Sequence, residues 1–124
     1  MQIKIEPVTR DSIAELDQAL RSLSSEMGDA HVTDQHTLKS AFLGDHPAFN
    51  ALLASCSNAV QGVIVWSPQF STTRGGGGVF VSDLWVASSA RAQGVGRKLL
   101  TRVLSDAENA SGASFLKLAV HRTN

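Results

Sequence analysis

The stretch VFVSDLWVASSARAQGVGRKLL, residues 79–100, constrains this chain more than any other. It opens on β-branched and aromatic residues that predict a strand from Val79 to Val86. A short loop follows, with Gly94 and Gly96 at the mouth of a run of helical period. That run predicts a helix from Val95 to about Asn109, burying Leu99, Leu100, Val103, Leu104 and Ala107. A helix start has unpaired N–H groups and partial positive charge, and attracts Asp, Glu, Ser or Thr. This one gathers Arg91, Arg97 and Lys98 and offers no capping side chain. An anion resting on the helix start would account for both features. Glycines let backbone N–H groups approach a phosphate, and the helix dipole favours its charge. On these residues alone the plainer alternative, solvated cations beside an ordinary turn, stays open.

The rest of the chain frames that unit. The 124 residues, 43% apolar and 18% charged, suffice for one domain with one core. Formal net charge is zero, so the whole molecule has no electrostatic bias toward nucleic acid or an anionic membrane, and any anion site must be local. No apolar run is long enough to span a bilayer, and the N-terminal residues do not resemble a signal peptide. A single cysteine, Cys56, excludes an intrachain disulfide; it reads as a small buried thiol. A cytoplasmic protein is expected. His31 and His36 are five apart, a poor spacing for two ligands on one helix face, so no metal site is expected.

Before the constraining stretch, Ile3 and Ile5 alternate with charges and predict a short strand closed by Pro7. Ser12 and Glu15 have capping-box spacing. Ile13, Leu16, Leu20, Leu23 and Met27 then mark a helix ending near Gly28. A second helix runs from about Asp34 to Leu43, with Gly44 at its end. Phe49–Cys56 and Val60–Trp66 read as a hairpin turning at Ser57-Asn58. Ser67 to Gly78, with its run of four glycines, reads as a mobile hairpin loop. A last strand is expected from Ser114 to His121.

Arg91-Ala-Gln-Gly94-Val-Gly96 resembles the R/Q-x-x-G-x-G/A signature of the GNAT superfamily of acyl-CoA-dependent N-acetyltransferases. VSDLWV resembles that family's acidic–Leu–aromatic–Val strand, and LKLAVHRTN its next strand with a V-x-x-x-N ending. The resemblance implies one α/β (α+β) GNAT-like domain over residues 1–124. Its mixed, mainly antiparallel sheet of about five strands would be flanked by three helices, without the usual last helix and two strands. It implies acetyl-CoA as cosubstrate, with its pyrophosphate on the backbone of Gln93, Gly94, Val95, Gly96 and Arg97. Arg91 and Ala92 belong to the same loop. The pantetheine arm would pair with Leu84, Trp85 and Val86, and Asn124 matches a cofactor-contacting asparagine.

The implied acceptor is a small primary amine. Asp83 is the sole acidic residue of its strand and the candidate catalytic base. Plain alternation puts it on the face of Val79, Val81 and Trp85, opposite Phe80, Ser82 and Leu84. FSTTRGGGGVFVSDLWV resembles the diamine and polyamine branch, except that Ser82 stands where that branch tends to have a first acid. The chain contains no tyrosine, the residue that commonly protonates the leaving thiolate in the family. His121 is a possible substitute. Two alternatives follow: a truncated CoA-binding protein with weak or no catalysis, and a phosphate-binding module without acyl chemistry. The alternating residues 114–121 would leave an open apolar edge, so a homodimer is expected.

Overall fold

The computed structural model describes residues 2–119. Five strands form one sheet in sequence order: β1 (Lys4–Pro7), β2 (Asn50–Cys56), β3 (Ala59–Ser71), β4 (Gly76–Val86) and β5 (Leu116–Leu118). Neighbours are antiparallel except β4 and β5, which are parallel. Parallel neighbours need a crossover, and helix α3 (Val95–Ser111) supplies it. Helices α1 (Ile13–Met27) and α2 (Gln35–Leu43) lie between β1 and β2 in the chain. The mixed, mainly antiparallel sheet with three helices is the expected architecture.

Each face of the sheet has its own core. On one, Val95, Leu99 and Val103 of α3 pack against Leu52, Ile64, Val79 and Val81. On the other, Ile13, Leu16 and Ala19 of α1 and Leu38 of α2 pack against Ala51, Val63 and Val65. Full burial of each large aliphatic side chain is worth about 1.5–3 kcal/mol. Gly62 sets how closely α3 approaches the sheet. A Cβ there would lie 2.8 Å from the Trp85 carbonyl oxygen and 3.2 Å from Val95 Cγ1.

Several expectations are corrected. The segment from Ser67 to Gly78 is mostly strand, because β3 and β4 pair from Ser71↔Gly76 onward. One of its glycines makes room for an aromatic ring: a Cβ on Gly78 would sit 2.6 Å from atoms of the Phe115 ring. The Arg74 guanidinium covers that ring at 5.1 Å from its centroid. At the start of α1, Ser12 makes no side-chain cap. Its Oγ instead accepts from the Thr9 backbone N–H at 2.9 Å, closing the preceding short turn. Leu104 is exposed, since the seam of α3 follows Val95, Leu99 and Val103 and leaves position 104 on its flank. The last ladder is shorter than Ser114–His121, covering Leu116–Leu118. Val120 and His121 lie outside the described residues.

Candidate active site

The decisive local feature is a β-bulge. Val65 pairs with Asp83 but Trp66 pairs with Val81, so Ser82 is an extra residue in β4. An extra residue interrupts the alternation of faces. Val79 and Val81 therefore stay in the α3-side core, and Leu84 and Val86 join them there. Trp85 packs in the α1–α2 core, and Asp83 lines a cavity on that side. Plain alternation had grouped Asp83 with Val79 and Val81; the bulge separates them. Ser82 also supports its neighbour, its Oγ donating to Asp83 Oδ2 at 3.0 Å.

The bulge also coincides with the parting of β4 from β5. Their ladder covers Val79–Val81, and the Ala119 N–H adds a bond to the Val81 carbonyl at 3.0 Å. Among the described residues, β4 from Ser82 to Val86 pairs only with β3. Beside this free edge runs a cleft under the C-terminal half of α1. Its larger lobe, about 680 Å³, is lined by Leu23, Glu26, Met27, Leu84, Trp85 and Arg91, among others. Smaller recesses lined by Leu23, Met27, Ser82 and Asp83 lead to a second cavity of about 380 Å³ at Asp83.

The start of α3 stands beside Leu84 and Val86 of this edge. Gly94 is its N-cap at φ 80° and ψ 12°, with no side-chain cap and no acidic residue in the first turn. Ala92 also has a positive φ, 64°. Left-handed residues turn successive N–H groups toward a common point, the geometry that holds anions. A Cβ on Gly96 would lie 3.6 Å from Val86 Cγ2 and 3.9 Å from Leu84 Cδ2, so this residue faces β4. Arg97 and Lys98 are exposed and make no ion pair among the described residues.

Arg91 is differently placed. Its Nε donates to the Val86 carbonyl at 3.0 Å, and its guanidinium pairs with Glu26 of α1. Trp85 Nε1 donates to the other Glu26 oxygen at 2.9 Å. The Trp85 hydrogen bond, then the Arg91 bond and charge, hold the Glu26 carboxyl below its ordinary pKa. Glu26 thus ties α1 to β4 and to the loop before α3. No sequence signal marked it, because its partners are 59 and 65 residues away.

The structure brings Asp83, Leu84, Trp85, Val86 and Arg91 to one cleft, and Ala92, Gln93, Gly94, Val95, Gly96 and Arg97 to the adjoining helix start. Asn124 lies outside the described residues. The uncapped N–H groups, the left-handed loop residues and the free β4 edge fit a diphosphate carrying an extended amide arm. No grouping of His, Cys, Asp and Glu able to hold a metal occurs among the described residues, and no helix there is long and apolar enough to cross a membrane.

Comparison with known proteins bears on the family and the fold. The family model for the acetyltransferase (GNAT) family matches residues 14–124. The chain belongs to the GNAT acetyltransferase family. Its fold resembles that of an aminoglycoside acetyltransferase from an uncultured soil metagenomic sample, at TM-score 0.80 and 18% identity, covering 98% of this chain and 80% of that one. It is also similar to a ribosomal-protein-alanine N-acetyltransferase from Brucella melitensis biovar Abortus 2308. There the TM-score is 0.78 and the identity 20%, over 98% of this chain and 82% of that one. A GNAT family acetyltransferase from Staphylococcus aureus gives TM-score 0.76 at 17% identity, over 100% and 90% of the two chains. No curated protein matches the chain in sequence.

Proposed function

We propose that this chain transfers an acetyl group from acetyl-CoA to a small primary amine by direct attack. The observation that carries the reading is an uncapped helix start beside the free edge of β4, with a carboxylate, Asp83, lining a cavity further along the same strand. The backbone of Gln93–Arg97 would hold the pyrophosphate, with Arg91 and Ala92 in the same loop. The free edge at Leu84, Trp85 and Val86 would hold the extended arm, and Asn124 is the cofactor contact that the family resemblance supplies. Bound acetyl-CoA would supply a thioester as acyl donor. An alkyl ammonium must lose a proton before its nitrogen can form the new N–C bond, and Asp83 accepts that proton directly or through water; the thioester C–S bond would break in the same transfer, and the departing thiolate would take its proton from solvent. Ser82 holds the Asp83 carboxylate in place by its hydrogen bond.

The diamine and polyamine branch belongs to this proposal, as do a cytoplasmic location and a homodimer formed near residues 114–121. Support for the dimer is that β5 is the outer strand among the described residues and leaves Leu118 exposed.

The test is thiol release from acetyl-CoA against a panel of amines. Turnover with one of them is expected. CoA binding without turnover by any would assign the protein to the non-catalytic alternative. In the active enzyme, Asp83→Asn lowers kcat/KM by about tenfold or more at low pH, where the amine is most protonated, and by less at high pH. It leaves CoA affinity unchanged. Parallel pH–rate profiles for the two proteins would remove Asp83 as proton acceptor.

A further inference from the structure

Glu26 of α1 directs both of its carboxylate oxygens at distant parts of the chain. Oε2 accepts from Trp85 Nε1, and Oε1 pairs with the Arg91 guanidinium. Arg91 is fixed at a second point as well, since its Nε donates to the carbonyl of Val86, the last residue of β4. The guanidinium therefore bridges α1 and the end of β4. Glu26 and Arg91 are both half-exposed. Ion pairs that open to solvent contribute little to global stability, so the fold does not depend on this one. Its effect is local.

The residue after Arg91 shows what is held. Ala92 has φ 64°, and Gly94 follows at φ 80°. Glycine adopts the left-handed region freely, whereas the Cβ of alanine makes it unfavourable. Strained backbone persists where its surroundings fix it. Before Arg91, a short turn at Ser88–Ala90 is closed by the Ala90 N–H on the Ala87 carbonyl at 2.8 Å. Arg91 itself is pinned by Glu26 and Val86. After Ala92, the Gln93 side chain donates back to the Ser89 carbonyl at 3.3 Å. These bonds fix the chain on both sides of Ala92, and with it the direction of the N–H groups that precede α3. The three cations of this region thus divide. Arg97 and Lys98 make no ion pair among the described residues, while the Arg91 guanidinium is engaged by the protein itself.

We propose that Glu26 is a positioning residue: acting through Arg91, it holds the Ala92–Gly94 turn in its left-handed form and so keeps the start of α3 ready for an anion. The inference rests on the reading of that start as a phosphate site, but its first test needs no ligand. In ligand-free protein, Glu26→Ala and Arg91→Ala should each move the backbone NMR resonances of Ala92, Gln93 and Gly94 in the same direction and leave that of Thr37 in place. The second test is calorimetric titration with inorganic pyrophosphate. Removing a carboxylate near an anion site strengthens binding by charge alone. Glu26→Ala should instead weaken it by about fivefold or more, because preorganisation is lost. Ala92→Gly relieves the strain, and adding it to Glu26→Ala should recover about twofold or more of that loss. Unmoved Ala92–Gly94 resonances in Glu26→Ala would overturn the inference. So would pyrophosphate affinity that holds or rises in Glu26→Ala, or a loss that Ala92→Gly does not reduce. Unsubstituted protein that binds neither pyrophosphate nor CoA, yet whose turn moves in Glu26→Ala, would support the clamp and contradict the acetyltransferase reading.

Discussion

Helices α2 and α3 begin in opposite ways. At α2, Asp34 in extended conformation accepts from the Thr37 N–H at 2.8 Å, and that bond holds the Asp34 carboxyl below its ordinary pKa. At α3, a left-handed glycine occupies the same position, no side chain caps, and exposed cations follow. Both starts present the same unpaired N–H groups to their surroundings. One is closed by its own chain, as a helix that only has to fold is closed. The other is left open beside a cleft and a free strand edge. On the proposed reading, the open start is kept for an external anion, at some cost to the stability of α3.

The largest expected effect comes from filling the open start. A Cβ on Gly96 fits at ordinary contact distance from Val86 and Leu84, so the backbone tolerates it. The branches of Gly96→Val would occupy the space between the helix start and β4. A loss of tenfold or more in CoA affinity is expected with the fold retained; unchanged affinity in a folded variant would break the comparison.

A smaller effect should come from making α3 resemble an ordinary start. Arg97→Glu places an acid in the first turn, where it interacts favourably with the helix dipole. CoA affinity should fall by about fivefold while Tm rises by one or two degrees. Changes of opposite sign are the signature of a site kept open for a ligand; a fall in both would contradict it.

The converse change at α2 should touch stability alone. Asp34→Ala removes the cap and should lower Tm by a few degrees, leaving CoA affinity unchanged in calorimetric titration. The smallest effect is one of pH. Asp34, through the Thr37 backbone bond, and Glu26, through the Trp85 bond, both have depressed folded-state pKa values. Their stabilising contribution is complete above the ordinary carboxylate range of about pH 4 and is lost as pH falls through the folded values. Asp34→Ala should therefore flatten part of the acid-side fall in Tm measured by calorimetry.

Element order and type were legible because these segments carry strong local signals. The two-residue turn at Ser57 and Asn58, both at positive φ, is one example. The helix seam of Ile13 and Leu16 and the glycine signature at Gly94 and Gly96 are others. What escaped the sequence depends on distant partners. The bulge at Ser82 arises from pairing with β3, so no period within β4 announces it. The glycines of residues 76–78 look like loop until β3 pairs with them and Phe115, far along the chain, lies over Gly78. Glu26 and Asp17 look like surface charges on an amphipathic helix. Only the packing of α1 over β4 makes one a tie and the other a buried carboxylate.

The most direct test of the open start is an amide-resolved NMR titration with CoA. The largest shifts should fall on the N–H groups of Gln93, Gly94, Val95, Gly96 and Arg97 and along Leu84–Val86, while the capped Thr37 N–H stays in place. Saturable binding that leaves the Gln93–Arg97 amides unmoved, or no binding at all, would contradict the account.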